Sequence, residues 1–206
     1  MNQAKNADEY IAMQRSALAG NAECGTSHYN LAVALMGKKE YEEAEHEFLE
    51  ALDCSPTLAE AYVHLGGLRL KQNDLEGCLA YNQQSVKVRP GFSEGWGNIG
   101  FVLLQLGKVD EAITALEKAT KFNFRFVQAL TTLANAYLIK GRISESIETN
   151  LKVLELEGNF GVAHNNLTVA YLENNEPELA AGHCKKAVAA GYKVAPELLN
   201  ELEAYL

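Results

Sequence analysis

The chain has 206 residues, 48% of them hydrophobic, and a formal net charge of -9, so it can bury a substantial core and differs from a disordered tail. The acidic balance disfavours nucleic acid, because binding the phosphate backbone requires clustered Lys and Arg. The N-terminal sequence lacks the apolar stretch of a secretory signal. No apolar run approaches the roughly 20 residues of a spanning helix, so we expect a cytoplasmic protein without membrane insertion.

The first predicted element is a helix over residues 7–20. Ile11, Ala17 and Leu18 stand in it where the second helix of each later repeat places its apolar residues. Residues 1–24 are therefore predicted to form an N-terminal half-repeat that covers the first core.

From residue 25 onward the sequence repeats itself with a fixed period, and internal repetition of this kind indicates a solenoid. An aliphatic position reads Leu31, Leu65, Ile99, Leu133 and Leu167, and the small position beside it reads Ala32, Gly66, Gly100, Ala134 and Thr168. A third position reads Ala44, Cys78, Ala112, Ser146 and Ala180. Spacings of four and seven within each copy place these residues on single faces of two helices.

A turn separates the two helices of each copy, called helix A and helix B below. Its position reads Lys39, Asn73, Gly107, Gly141 and Asn175, and four of these five are Gly or Asn, which tolerate the left-handed backbone that ends a helix. Pro56 and Pro90 lie one repeat period apart at the exit from helix B, where a proline cannot continue the helix. Each copy is thus predicted to be a helical hairpin.

These residues resemble the tetratricopeptide repeat (TPR) family. The first copy matches the family pattern at Leu31, Ala44, Phe48, Ala51 and Pro56, and the third at Trp96, Ile99, Gly100, Ala112 and Ala119. Phe124, Gly158 and Tyr192 replace the exit proline in the last three copies, which leaves the helix ends there open. The resemblance implies an all-α fold: a right-handed superhelical solenoid of antiparallel helix pairs.

The last predicted element is a C-terminal capping helix over residues 195–206. Pro196 can begin it, and Leu198, Leu199, Leu202 and Leu206 would form its apolar side. The predicted organisation is therefore a half-repeat over 1–24, five repeats and the cap. The repeats cover 25–194, as 25–58, 59–92, 93–126, 127–160 and 161–194.

No catalytic or metal-ligand motif stands out in the sequence. The histidines are scattered over different copies, and the four cysteines show no CxxC spacing. His183 and Cys184 are adjacent, but neighbours on a helix point about 100° apart. His28 and His164 occupy the position of Tyr62 and Trp96 in other copies and are interpreted as packing residues. We therefore expect no enzyme, no metal and no cofactor.

In families that resemble this one, the concave face is lined by the second, fifth, sixth, ninth and thirteenth residues of each copy. The sixth reads Asn30, His64, Asn98, Thr132 and Asn166, all neutral hydrogen-bonding side chains. Asn135 and Asn165 extend this column, and Tyr29, Val33 and Phe101 add apolar area. Amide side chains can pair with the backbone of an extended peptide, as in the asparagine ladder of O-linked N-acetylglucosamine transferases. The alternative is that these residues are polar only for solubility.

The sequence thus predicts a non-catalytic scaffold that binds an extended peptide or a helix of a partner protein in its concave groove. The charges on that face are Glu60, Glu94, Glu173 and Lys71, so the expected ligand is neutral, apolar or basic rather than an acidic chain terminus. Two alternatives stay open: a module that assembles with itself into a homo-oligomer, and an enzyme or cofactor carrier that uses Cys184 or the histidines.

Overall fold

The computed structural model describes residues 6–21 and 24–205, and these residues form twelve α-helices and no strand. The helices are α1 (Ala7–Gly20), α2 (Gly25–Gly37), α3 (Tyr41–Cys54), α4 (Ala59–Lys71), α5 (Leu75–Val88), α6 (Ser93–Gln105), α7 (Val109–Phe122), α8 (Val127–Ile139), α9 (Ile143–Leu156), α10 (Gly161–Glu173), α11 (Pro177–Ala189) and α12 (Pro196–Glu201). The five A helices, from α2 to α10, each have 13 residues and begin at intervals of one repeat period. The predicted all-α helical-repeat class is therefore confirmed.

The helices belong to two compact units, Met1–Asn98 and Ile99–Leu206, which divide inside α6. In the first unit α1 packs on α2, α2 on α3, α3 on α4 and α4 on α5. Its core contains Leu31, Leu35, Phe48 and Leu65, each at most 2% exposed. Burying a side chain of this size contributes about 1.5–3 kcal/mol to the stability of the fold.

In the second unit each of the helices α7 to α10 packs on the next helix in the chain. Val127, Leu130, Val153 and Ala163 form one buried cluster. A second cluster lies at the C-terminal end of the unit and joins Ala180, Ala181, Cys184, Ala187, Val194 and Leu202. A Cβ placed at Gly100 on α6 would lie 3.2 Å from the carbonyl oxygen of Ala112 on α7, so the backbones of these two helices approach closely.

The five predicted turn positions all adopt the left-handed backbone. Their φ angles are 65° at Lys39, 60° at Asn73, 73° at Gly107, 73° at Gly141 and 57° at Asn175. After each one, the next backbone N–H donates back into helix A, as from Asp74 to the carbonyl of Arg69 at 2.9 Å. This is the hydrogen bond of a Schellman motif, which satisfies a free carbonyl at the helix end.

The exit from helix B keeps its geometry without proline. Helices α3, α5, α7 and α9 end at equivalent positions of their copies, although Phe124 and Gly158 replace the proline of the first two copies. In all four copies a backbone N–H bridges the exit, as from Phe160 to the carbonyl of Glu157 at 3.1 Å. The departures at Phe124 and Gly158 therefore do not move the helix ends, whereas α11, whose copy has Tyr192 at this position, ends at Ala189, one residue earlier.

The C-terminal helix is shorter than predicted. α12 ends at Glu201 after six residues, and Leu202 follows it in a turn but is fully buried against α11 residues such as Ala187. Leu198 and Leu199 pack on the same cluster, as expected of a cap. Leu206 lies outside the described residues, so its predicted place in the cap stays a prediction, as do the domain boundaries.

Candidate functional site

Asn98 on α6 is held by an asparagine of the preceding B helix. Its Nδ2 donates to Oδ1 of Asn82 at 3.0 Å, and Nδ2 of Asn82 donates to the main-chain carbonyl of Cys78 at 2.8 Å. Asn82 is fully buried, whereas Asn98 is half-buried. Gly66 leaves room for this arrangement, because a Cβ there would overlap the amide nitrogen of Asn82.

Asn166 on α10 repeats the arrangement two copies later. Its Nδ2 lies 3.4 Å from Oδ1 of Asn150, and Nδ2 of Asn150 donates to the carbonyl of Ser146 at 3.0 Å. Asn150 is also fully buried. Two of the predicted ligand-binding amides are therefore half-buried side chains supported from behind by a buried amide.

His64 on α4 has a different support. Its ring stacks on Phe48, with the centroids 4.9 Å apart and the planes 8° apart, and its Nε2 lies 3.2 Å from the hydroxyl of Tyr29. Burial lowers the pKa of His64, against the opposing charge of Glu60. A lowered pKa keeps His64 neutral near pH 7, so it fits a column of neutral hydrogen-bonding groups.

The remaining members of the column differ from each other. The Thr132 hydroxyl donates to the carbonyl of Gln128 on its own helix at 2.8 Å, and Leu116 occupies the supporting position behind it. Asn30 and Tyr29 are half-buried on α2, and Val33 is 39% exposed. The described hydrogen-bonded asparagine pairs are thus those of Asn98 and Asn166.

Four predicted site residues meet at one depression in the second unit. Phe101, Thr132, Asn135 and Asn166 line a pocket of about 240 Å³. Its other lining residues are Leu104, Gln105, Thr131 and Val162. Phe101 is 38% exposed there, so an apolar ring and several hydrogen-bonding groups face the same space.

Asn165 lies at a different depression of the second unit, of about 400 Å³. There it is accompanied by Val169, by Tyr192 and Val194 of the loop before α12, and by Leu198 of α12. Asn165 and Asn166 are adjacent in the chain but line different pockets, because neighbours on a helix point in different directions. Of the two residues predicted to extend the column, Asn135 therefore shares a pocket with Asn166, whereas Asn165 lines a different one.

Two of the four charged side chains on the predicted face are engaged in contacts within the chain. Both carboxylate oxygens of Glu60 accept hydrogen bonds from Arg89, at 2.6 and 2.9 Å, and this hydrogen bonding lowers the pKa of Glu60. The Nζ of Lys71 lies 4.5 Å from the ring centroid of Tyr41, a cation–π contact. Glu94 and Glu173, both exposed, are left as the acidic charges of this face.

His164 and His183 form a pair that the sequence did not reveal. Their Nδ1 atoms lie 3.0 Å apart, and the ring of His183 stacks on Tyr171 with centroids 5.5 Å apart. His164 is 4% exposed, which agrees with its interpretation as a packing residue. Among residues 6–21 and 24–205, no group of three or more His, Cys, Asp or Glu side chains could hold a metal ion.

In two copies, the aromatic residue of helix A donates a hydrogen bond to the main chain that precedes the helix. Tyr62 donates to the carbonyl of Pro56 and Trp96 to that of Pro90, at 3.2 and 2.8 Å. Leu130 stands at this position in the fourth copy and cannot donate, and Phe124, six positions before it, is 74% exposed.

Two segments match sequence profiles of one family: residues 25–58 and residues 93–125 both match the tetratricopeptide repeat. The structure of YrrB, described as a TPR protein with an unusual peptide-binding site, superposes with a TM-score of 0.76 at 19% identity over 94% of this chain and 99% of that one. The chain contains tetratricopeptide repeats. TPR proteins generally mediate protein–protein interactions, and this fold is typically non-catalytic.

Two curated relatives are much longer than this TPR chain. Protein FlbA of Caulobacter vibrioides is 28% identical over 121 residues, which are 59% of this chain and 20% of FlbA. The CTR9 homolog of Arabidopsis thaliana is 26% identical over 186 residues, which are 86% of this chain and 17% of that protein. The chain thus spans about a fifth of the length of these relatives. Within the described part of the chain, no helix is both long and apolar enough to cross a membrane.

The supporting asparagines were missed by sequence reasoning, although a signal was present. Asn82 in the second copy and Asn150 in the fourth stand at the TPR position that Phe48 fills in the first copy. A polar residue in a core register is costly unless it is hydrogen-bonded. The substitution of the family's aromatic residue by Asn in two copies was therefore readable as a sign of a buried polar contact.

Proposed function

We propose that this chain is a non-catalytic scaffold that binds an extended segment of a partner protein on the face formed by its A helices. The observation that carries the proposal is the pocket of about 240 Å³ in the second unit, which joins Phe101, Thr132, Asn135 and Asn166. An apolar ring beside a few converging polar groups is typical of a ligand site. The peptide-binding site named for the similar fold of YrrB supports the same use.

The first unit supports the proposal with a different surface. The Tyr29 and His64 side chains contact each other, and Asn98 is half-buried with one amide N–H engaged. These groups offer hydrogen bonds and apolar area without a net charge, which suits the backbone of a peptide with few sequence requirements. The preferred ligand is a neutral, apolar or basic segment.

The experiment begins with a displayed library of random, end-blocked peptides selected against the purified chain. We expect selected peptides whose affinity for the double variant Asn98→Ala, Asn166→Ala falls about tenfold, because each lost hydrogen bond costs about 0.5–1.5 kcal/mol. Fluorescence anisotropy with a labelled peptide measures the dissociation constant.

The control for this experiment is the double variant Gln83→Ala, Asn159→Ala. Both residues are exposed amides outside the predicted face, on α5 and after α9. The control variant is expected to bind the selected peptides as the unmodified chain does. If Asn98→Ala with Asn166→Ala leaves the affinity unchanged, the amide column is not the site.

The second candidate function is self-assembly. Phe122 and Phe124 are 51% and 74% exposed, and Phe124, Leu130 and Leu156 line a further depression of about 430 Å³ in the second unit. Exposed apolar area of this kind is typical of protein contacts. Light scattering over a concentration series decides the matter, because a monomer at every concentration removes this candidate.

A further inference from the structure

In each of the two amide pairs, a main-chain carbonyl determines which side-chain group donates a hydrogen bond and which accepts one. A carbonyl oxygen can only accept a hydrogen bond, so Asn82 must turn its NH2 group toward Cys78, 2.8 Å away. The Oδ1 of Asn82 then faces Asn98 and can only accept, so Asn98 must present its own NH2 group, at 3.0 Å. The orientation of the half-buried amide is thus imposed by the buried one.

The same sequence of contacts occurs in the second unit. Asn150 donates to the carbonyl of Ser146, its oxygen faces Asn166, and the NH2 group of Asn166 is directed to that oxygen. Both buried amides are 0% exposed, so water does not compete for these contacts. Two independent pairs, in different units, therefore have the same polarity.

We propose that Asn82 and Asn150 are positioning residues, which fix the side-chain orientation of Asn98 and Asn166. In this orientation the side-chain oxygens of Asn98 and Asn166 accept a hydrogen bond from an N–H of the bound segment. An amide side chain has two acceptor sites on oxygen and two N–H donors, and one N–H of each outer asparagine is used by its buried partner. The outer oxygen and the second N–H are left for the ligand, and we assign to the oxygen a backbone N–H of an extended segment as its donor. This inference rests on the proposed peptide binding.

The position of Asn82 and Asn150 argues against a merely structural role. Leu116 fills the equivalent position in the third copy, over Gly100, and Asn82 lies over the equivalent Gly66. An apolar residue is thus accommodated there without a buried amide. Replacing a buried polar pair by apolar groups of similar shape is often neutral or stabilising. Packing alone therefore does not explain the asparagines at these positions.

The first test requires no ligand. Through-hydrogen-bond NMR coupling in the unmodified chain is expected from Nδ2 of Asn98 to the side-chain carbonyl of Asn82, and from Nδ2 of Asn166 to that of Asn150. Coupling in the opposite direction, from Asn82 to Asn98, would overturn the proposal.

The second test uses a peptide selected as above and the variant Asn82→Leu, with Gln83→Leu as the exposed control on the same helix. We expect Asn82→Leu to unfold at the same or a higher urea concentration, yet to bind the peptide about fivefold more weakly, because Asn98 can then rotate. Gln83→Leu is expected to keep the affinity. Equal affinity of Asn82→Leu and the unmodified chain would overturn the positioning role.

The third test identifies the donor on the peptide. Ester bonds replace successive amide bonds of the selected peptide, which removes one N–H at a time. At one position, we expect the ester peptide to bind the unmodified chain about fivefold more weakly than the amide peptide does. The same ester and amide peptides should bind Asn98→Ala, or Asn166→Ala, with nearly equal affinity. If no ester has such an effect, the acceptor role is wrong although peptide binding stands. If no peptide is selected at all, the proposed function is wrong, and the NMR coupling decides the polarity by itself.

Discussion

At the scale of single residues, the pair of His164 and His183 couples the C-terminal repeats to pH. Burial, the neighbouring His164 and the charge of Lys186 lower the pKa of His183 to about 4, and burial also lowers the pKa of His164. The ordinary value is 6.5, so the unfolded chain binds a proton at a pH where the folded chain does not. Stability is therefore full above about pH 6.5 and falls as the pH drops toward 4.

The variant His183→Gln measures this effect. We expect the unmodified chain to lose about 1–2 kcal/mol more unfolding free energy than the variant between about pH 7.5 and pH 5, a value reduced for the solvent exposure of the pair. Urea denaturation at each pH gives the free energies. His46→Gln alters an exposed histidine on α3, outside the pair, and is the control. Identical profiles for all three proteins would contradict the assignment.

At the scale of the helices, the left-handed turn positions allow the cost of backbone strain to be measured separately from side-chain contacts. Lys39 has a φ of 65°, whereas Gly141 stands at the equivalent position with a φ of 73° and open space around the site of its missing Cβ. A residue with a Cβ is strained in this conformation and glycine is not. The five turns thus have the same geometry at different energetic costs.

Lys39→Gly is expected to raise the unfolding free energy by about 0.5–1 kcal/mol, because the strain is released and the hydrogen bonds of the turn are kept. Gly141→Ala is the inverse substitution and is expected to lower it by about 1 kcal/mol. Urea denaturation followed by circular dichroism measures both changes. A loss of stability in Lys39→Gly would show that the lysine side chain contributes more than its backbone strain costs.

At the scale of the whole molecule, the net charge of -9 affects the choice of ligand. The carboxylate of Glu60 is paired with Arg89, but Glu94 and Glu173 are exposed on the predicted face. Like charges repel over a Debye length of about 10 Å at 0.1 M salt, so an acidic segment approaches unfavourably.

For a peptide selected from the library, we therefore expect an analogue with two added Asp residues to bind about tenfold more weakly at ~0.05 M salt, and an analogue with two added Lys residues to bind at least as tightly as the parent. The difference should shrink at ~0.5 M salt because the charges are screened. Calorimetric titration of the three peptides measures this. Tighter binding of the acidic analogue would contradict the assigned ligand class.

Much of the fold follows from the sequence, because its determinants are local. The series that begins at Leu31 sets the repeat period, and the residues from Lys39 to Asn175 mark the turns. Helix ends without a proline, at Phe124 and Gly158, could not be placed with certainty, because a backbone hydrogen bond rather than proline closes the exit there. The end of α12 was overestimated because apolar residues continue past Glu201 in a turn.

The sequence by itself determined the repeat, the all-α class and the family, since these depend on residue types at fixed spacing along one chain. Only the tertiary structure decided that Asn98 meets Asn82, that His164 meets His183, and that Asn165 and Asn166 line different pockets. These contacts join side chains of different helices or separate neighbours on one helix. They depend on distances and directions of a few ångströms that helix packing sets and that residue spacing alone does not specify.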